Sequence, residues 1–116
     1  MSTDPEIHPL DGCVLVRPTG PQLNALSAPA LKNAIVDLDN RGQLRVILSL
    51  SRLDQIDSSG LGALISLHKT LAPPRGRLVL CEMPAKLQPI FQLTRLDRIF
   101  TVAADVAIAT DLARSG

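Results

Sequence analysis

The amino-acid sequence predicts an α/β domain in which helices pack against a sheet. Segments typical of strands alternate with segments typical of helices along most of the chain, and the loops between them are short. This alternation indicates right-handed crossovers and a layered sandwich. The 116 residues suit one domain, since no linker or repeat marks a boundary.

The first part of the chain predicts three strands and one helix. A strand is expected near Glu6–Leu10, and the β-branched run at residues 13–20 predicts a second. Ser27 is expected to cap a helix over Ala28–Asn40, where apolar residues recur at helical spacing. The apolar run at residues 44–53 is typical of a strand covered on both faces in a parallel sheet.

The middle of the chain predicts a second helix and a further core strand. The apolar face of this helix is expected to comprise Leu61, Leu64, Ile65, His68 and Leu71. The prolines and glycine within residues 72–76 end the helix, and the apolar run at residues 77–83 predicts a strand.

The last part of the chain predicts two helices on either side of a short strand. Pro84 is expected to open the first of these helices. Its inward-facing residues are expected to be Leu87, Ile90, Phe91 and Leu93. A strand is expected near residues 99–102, and a final helix near residues 105–114.

Composition argues against binding to nucleic acid or to an anionic membrane. Twelve Lys and Arg against 11 Asp and Glu give a net charge of +1, and the basic residues form no run. The chain has two Phe and neither Tyr nor Trp, so it lacks a base-stacking platform. A secretory h-region and an apolar run of membrane-spanning length are absent, which predicts a cytoplasmic protein.

The two cysteines, Cys13 and Cys81, each stand beside an apolar run and far from each other in sequence. Neither belongs to a CxxC pair or to a His/Cys cluster. We therefore expect small buried hydrophobic side chains in a reducing compartment, and no metal site.

The stretch IDSSGLGALISLHK, residues 56–69, places an acid, two hydroxyls and two glycines at the start of the second helix. In the simplest interpretation Asp57 or Ser58 caps that helix. A nucleophilic serine is a second interpretation, but a G-x-S-x-G elbow centred on Ser58 lacks its first glycine. A general base is also missing, because His68 lies about 15 Å farther along the same helix.

Two further interpretations involve phosphate. The spacing G-x-x-x-x-G-K-[ST] is absent, so the sequence only weakly indicates a cradle for a free nucleotide. A covalent phosphate on serine would be stabilised by the dipole and the free N–H groups at the helix start. Gly60 and Gly62 would leave Ser58 accessible to a partner's active site. The residues by themselves leave capping and modification both open.

This motif resembles the corresponding segment of the STAS-domain anti-sigma factor antagonists of bacteria. LRVILSLSRLDQ precedes it and GRLVLCEMPAKLQPIFQLTRLDRIF follows it, and both stretches are similar to that family. The resemblance covers about residues 12–112, and D-S-S-G-L-G is its most specific part. It implies a mixed sheet of four to five strands, with about four helices largely on one face.

The resemblance also implies a regulatory switch with no catalytic residue, metal or cofactor of its own. The unmodified antagonist would bind an anti-sigma factor that is also a GHKL-type serine kinase, and phosphorylation of Ser58 by that kinase would release it. A PP2C-type serine phosphatase would then reset the protein, which is expected to be a monomer or weak dimer. The implied partner-binding surface comprises Asn24, Asp57, Ser58, Ser59, Gly60, Leu61 and Gly62.

Three positions depart from the family pattern. Asn24 replaces the acid of the family's G-x-L-D loop, Ser49 replaces the Asp of its L-D-L-S strand, and Arg95 replaces a glycine. These changes affect which kinase recognises the surface more than they affect the assignment of Ser58 as the phosphate acceptor. The alternative function is an accessory or sensory module of a transporter or stress complex that binds a small ligand or nucleotide.

Overall fold

The computed structural model describes residues 4–115, which form a five-stranded sheet flanked by helices and a separate two-stranded pair. The strands are β1 (Glu6–Leu10), β2 (Cys13–Arg17), β3 (Gln22–Leu23), β4 (Arg45–Ser49), β5 (Gln55–Ile56), β6 (Arg77–Cys81) and β7 (Thr101–Ala103). The helices are α1 (Ala28–Asn40), α2 (Ser58–Thr70), α3 (Gln88–Leu93) and α4 (Val106–Arg114), with 3-10 turns at Ala85–Leu87 and Leu96–Arg98.

The main sheet is mixed, with the order β1-β2-β4-β6-β7. β1 is antiparallel to β2 through a two-residue Asp-Gly turn in which Gly12 adopts φ +81°, a conformation that favours glycine. The other four strands are parallel, and a helix connects each to the next. The carboxyl ends of β2, β4 and β6 therefore lie at one edge of the sheet, where the chain enters α1 and α2.

Apolar side chains on the two faces of the sheet build two cores. Three helices, α1, α2 and α3, cover one face and pack on Val14, Val16, Val46, Leu48, Leu78 and Leu80. α4 covers the opposite face and packs on Cys13, Leu15, Ile47, Val79 and Cys81. The predicted α/β architecture, with its helices largely on one face, is confirmed.

Most predicted elements are present, with shorter strands than expected. α1 begins and ends where the sequence indicates. β2 stops at Arg17, because Pro18 has no N–H to donate to a ladder. The segment after Pro84 begins as a 3-10 turn and becomes helical only at Gln88. No helix within residues 4–115 has the length and apolar character of a membrane span.

The inward-facing set of α3 is partly wrong. Leu87 and Phe91 are buried as predicted and Ile90 is half-buried, whereas Leu93 is 85% exposed. Leu93 follows Phe91 by two residues, which is about 200° around a helix and turns it away from the sheet. The helix ends immediately afterwards, so no further element covers it.

The buried face of α2 is rotated from the predicted stripe. Leu64 and Leu71 are buried as expected, but Leu61, Ile65 and His68 are only half-buried. The centre of the face is completed by Gly60, Ala63 and Leu67. Gly60 and Ala63 thus share the buried face with three leucines, and Leu61, Ile65 and His68 lie at its margins.

Both cysteines are free and buried, as predicted. Burial is the main cause that raises the pKa of the Cys81 thiol to about 12, and the neighbouring Glu82 carboxylate adds to it. Burial likewise raises the pKa of Cys13. Each thiol therefore stays protonated at neutral pH and behaves as a small apolar group.

A buried and an exposed residue of α3 give a first test of the core. The Phe91 ring is buried and meets the Phe100 ring edge-on, with the centroids 6.1 Å apart. Phe91→Ala is expected to lower the free energy of unfolding by about 3–5 kcal/mol, because it leaves a cavity. Leu93→Ala on the same helix should change it by less than about 0.5 kcal/mol. Urea unfolding of the two variants checks this, and equal losses would contradict the assignment of the core.

Candidate functional site

The motif that begins α2 meets a second loop through a strand pair that the sequence did not predict. β3 and β5 pair in parallel, with Gln22 opposite Gln55 and Leu23 opposite Ile56. Two residues per strand are too few to give a periodic signal in the sequence. This pair brings the loop before α1 beside the loop before α2, and so gathers the predicted site residues at one edge of the sheet.

Gly60 makes this close approach sterically feasible. The carbonyl oxygen of Leu23 accepts a hydrogen bond from the Asp57 N–H at 3.2 Å. A Cβ atom on Gly60 would lie 2.3 Å from that same oxygen and 2.9 Å from Cγ2 of Ile56. Any larger residue at position 60 would therefore push the first turn of α2 away from β3.

The capping interpretation is confirmed for Asp57. Its backbone is extended, and its Oδ1 accepts a hydrogen bond from the Gly60 N–H at 2.9 Å. Ser58 is then the first residue of α2 and is exposed, as is Ser59. No group within residues 4–115 forms a hydrogen bond with the hydroxyl of Ser58 or of Ser59. The Asp57 side chain caps the helix and leaves the hydroxyl of Ser58 accessible.

Asn24 organises the loop on the other side of the site. Its Oδ1 accepts hydrogen bonds from the backbone N–H groups of Leu26 at 3.0 Å and Ser27 at 3.2 Å. Its Nδ2 donates to Oε1 of Gln22 at 3.1 Å. The uncharged amide that replaces the family's acid therefore closes an Asx-type turn before α1.

Ser27 occupies the N-cap position of α1 as predicted, but its side chain does not cap the helix. Its backbone is helical and its hydroxyl makes no capping bond to α1. The hydroxyl instead donates to the Gln22 carbonyl oxygen at 2.8 Å and accepts from the Asn24 N–H at 3.0 Å. The Ser27 side chain therefore stabilises the loop before α1. The N–H groups at the entry to α1 are instead bonded by the Asn24 side chain.

The seven residues predicted to bind the partner lie together but differ in exposure. Asp57, Ser58, Ser59 and Gly62 are exposed, and Asn24 and Leu61 are half-buried. Gly60 is buried beneath them, so it can only support the surface. The exposed part of the site is the first turn of α2 next to the Asn24 turn.

Neither histidine is placed to act as a base for Ser58. The ring of His68 packs edge-on against Phe100, with the centroids 5.1 Å apart. His8 lies on β1 and hydrogen-bonds to Glu6 at 3.1 Å. Within residues 4–115, no group of three or more His, Cys, Asp or Glu residues is arranged to hold a metal ion.

A polar network occupies the same edge of the sheet on the α4 face. The buried Ser49 hydroxyl donates to Oε1 of Glu82 at 2.7 Å and accepts from Nε of Arg17 at 3.4 Å. Ser49 stands where the family pattern has Asp, and the carboxylates that meet Arg17 here belong to Glu82 at 3.4 Å and Glu6 at 3.6 Å. Glu82, which no motif in the sequence indicates, follows β6 directly and adopts φ +55°.

This network extends to the outer strand β1. Glu6 accepts hydrogen bonds from His8 and from Arg52, and in that order these contacts lower the pKa of its carboxyl. Arg52 belongs to the loop between β4 and β5. Farther along that loop, Asp54 pairs with Lys86 at 2.6 Å and its N–H donates to the Pro21 carbonyl oxygen. The loop between β4 and β5, which leads to Ser58, is therefore fixed by contacts with β1 on one side and with Lys86 and Pro21 on the other.

Comparison with known proteins identifies the family. The STAS domain model matches residues 4–109. BtrV of Bordetella bronchiseptica, a protein classed with the anti-sigma factor antagonists, is 35% identical over 81 residues, which cover 70% of each chain. The chain belongs to the STAS-domain family of anti-sigma factor antagonists. The family resemblance seen in the sequence is thus confirmed.

Solved structures share the fold of this STAS protein. The crystal structure of a Thermotoga maritima protein classed with the anti-sigma factor antagonists superposes with a TM-score of 0.86 at 27% identity, covering 95% of this chain and 94% of that chain. The anti-sigma factor antagonist SpoIIAA in its unphosphorylated form gives 0.71 at 21% identity, covering 97% and 99%. SpoIIAA of Bacillus in its phosphorylated form gives 0.69 at 19% identity, covering 93% and 98%.

The two glycines of the motif provide a matched test of the site's geometry. Gly60→Ala is expected to lower the free energy of unfolding by about 1–3 kcal/mol, because the new methyl group overlaps the Leu23 carbonyl. Gly62 has no atom within 4 Å of such a methyl group. Gly62→Ala should therefore raise the free energy of unfolding by about 0.5–1 kcal/mol through helix propensity. Urea denaturation compares them, and equal stability would refute the close contact.

Proposed function

We propose that residues 1–116 form a single-domain, phosphorylation-switched anti-sigma factor antagonist whose acceptor is Ser58. One observation carries the proposal: Asp57 supplies the helix cap, so the Ser58 hydroxyl is exposed and unbonded at the first position of α2. A phosphate at this position gains from the helix dipole and the free N–H groups of the first turn. SpoIIAA, which has the same fold, is known in unphosphorylated and phosphorylated forms.

In this proposal the unmodified protein binds an anti-sigma factor that is also a GHKL-type serine kinase. Binding uses the first turn of α2 and the adjacent Asn24 turn. The kinase transfers a phosphate to Ser58 and the complex dissociates, after which a PP2C-type phosphatase restores the hydroxyl. The antagonist itself performs no catalysis, since neither histidine can activate Ser58. Because the kinase takes its phosphate from ATP, the switch operates in the cytoplasm.

One phosphate is sufficient to drive such a switch. A change from mostly bound to mostly free requires about a hundredfold loss of affinity, or about 2.7 kcal/mol. A phosphoserine carries a charge of about −1.5 to −2 near neutral pH. The segments 18–31 and 53–67, which the β3–β5 pair joins at the site, contain no Lys or Arg, and Arg52 just before the second segment pairs with Glu6. The charge on Ser58 would therefore enter the interface without a counterion from these two segments.

The site of phosphorylation is tested with the two adjacent serines. The GHKL-type anti-sigma factor kinases of the source organism are purified and incubated with this protein and ATP. We expect one of them to add a single phosphate to the wild type and to Ser59→Ala, and none to Ser58→Ala. Intact-mass spectrometry with peptide mapping measures this. Stoichiometric phosphorylation of Ser58→Ala would overturn the assignment.

The charge mechanism is tested by binding. Ser58→Ala is expected to bind the kinase within about threefold of the wild type, because it removes only an exposed hydroxyl. Ser58→Asp should bind at least about tenfold more weakly, and the phosphoprotein about a hundredfold more weakly. Titration calorimetry without ATP gives these affinities. Equal affinities for the alanine and aspartate variants would argue against a switch by charge.

A further inference from the structure

The two segments that meet beside Ser58 are depleted of charge. Residues 18–31 contain no Asp, Glu, Lys or Arg, although such residues make up 20% of the chain. Residues 55–67, which include the start of α2, contain only Asp57. The β3–β5 pair joins these two segments side by side. Depletion of charged residues is a property of the central part of protein–protein interfaces.

One large apolar side chain projects from this surface. Leu26 is 86% exposed and lies between Ala25 and Ser27 in the loop before α1. The loop is internally hydrogen-bonded: the Leu26 and Ser27 N–H groups bind Oδ1 of Asn24, and the Ala28 N–H binds the Asn24 carbonyl oxygen at 2.8 Å. A leucine held outward by an ordered turn costs little further entropy when a partner covers it.

Leu26 and Ser58 fall within the footprint of a single partner. They follow the paired residues Leu23 and Ile56 by three and two positions. The reach of the chain therefore limits their Cα atoms to about 24 Å apart. A standard interface buries about 800 Å² on each side, which corresponds to a patch about 30 Å across. A single interface of this size is therefore large enough to include both Ser58 and Leu26.

We propose that Leu26 is the apolar anchor by which the kinase partner recognises this protein. It enters an uncharged, apolar pocket of the kinase beside the site that receives Ser58. This inference rests on the proposed function and adds a specificity-determining residue to it. The uncharged Asn24 is consistent with this role of Leu26. An acid at position 24 would place a charge next to the apolar side chain, because the side chain at position 24 bonds the Leu26 N–H.

The test uses Leu93 as a matched control, since it is a leucine of equal exposure, 85%, at the end of α3. The probe is the kinase that phosphorylates Ser58 in the experiment above. We expect Leu26→Ser and Leu26→Gln to weaken its affinity at least about tenfold, and Leu93→Ser to change it less than about twofold. Leu26→Met should retain affinity within about threefold, since it keeps the apolar volume.

Titration calorimetry measures affinity, and thermal unfolding verifies that the variants fold as the wild type does. If Leu26→Ser binds as the wild type does, or if Leu93→Ser is equally impaired, the anchor role is overturned. A loss of self-association in ultracentrifugation with unchanged kinase affinity overturns it in favour of a second copy of this chain. Neither result affects the proposed switch, which fails separately if no kinase modifies Ser58.

Discussion

The contact between the Leu23 carbonyl oxygen and the first turn of α2 is the constraint on which the site depends. That oxygen accepts the Asp57 N–H, and the absence of a side chain on Gly60 leaves room for it. The contact joins the loop before α1 to a helix that begins 35 residues after Leu23. Without it, the Asn24 turn and Ser58 would belong to two independent loops rather than to one surface.

The polar groups of the site have separate tasks. Asp57 satisfies the backbone of α2 and Asn24 satisfies the backbone that leads into α1. Because these two side chains are used internally, the Ser58 hydroxyl is left exposed without a structural role. Because the Ser58 hydroxyl holds no other part of the structure in place, a phosphate on it would change the surface and not the fold.

Charge is distributed unevenly along the same edge of the sheet. The ion pairs and buried hydroxyl of the Arg17, Ser49 and Glu82 network lie toward the α4 face, where they hold the loop after β4. By comparison, residues 18–31 and 55–67 beside Ser58 contain Asp57 as their one charged residue. A phosphate on Ser58 would add to the charge of Asp57, and no Lys or Arg within these segments would offset it.

The sequence by itself determined the alternation of strands and helices, the limits of α1, the buried cysteines and the family, because hydrophobic periodicity and the D-S-S-G-L-G motif are local signals. It left open whether Asp57 or Ser58 caps α2, and it placed Ser27 correctly at the start of α1 but did not predict that its hydroxyl bonds the preceding loop instead of the helix. It also missed the β3–β5 pair and the carboxylate of Glu82. Only the tertiary structure decided these points. The β3–β5 pair and the contact of Glu82 with Arg17 join residues far apart in the chain, which no local pattern predicts. The caps at Asp57 and Ser27 are local, but more than one side chain in each stretch could bond the same backbone groups, and only the folded geometry selects among them.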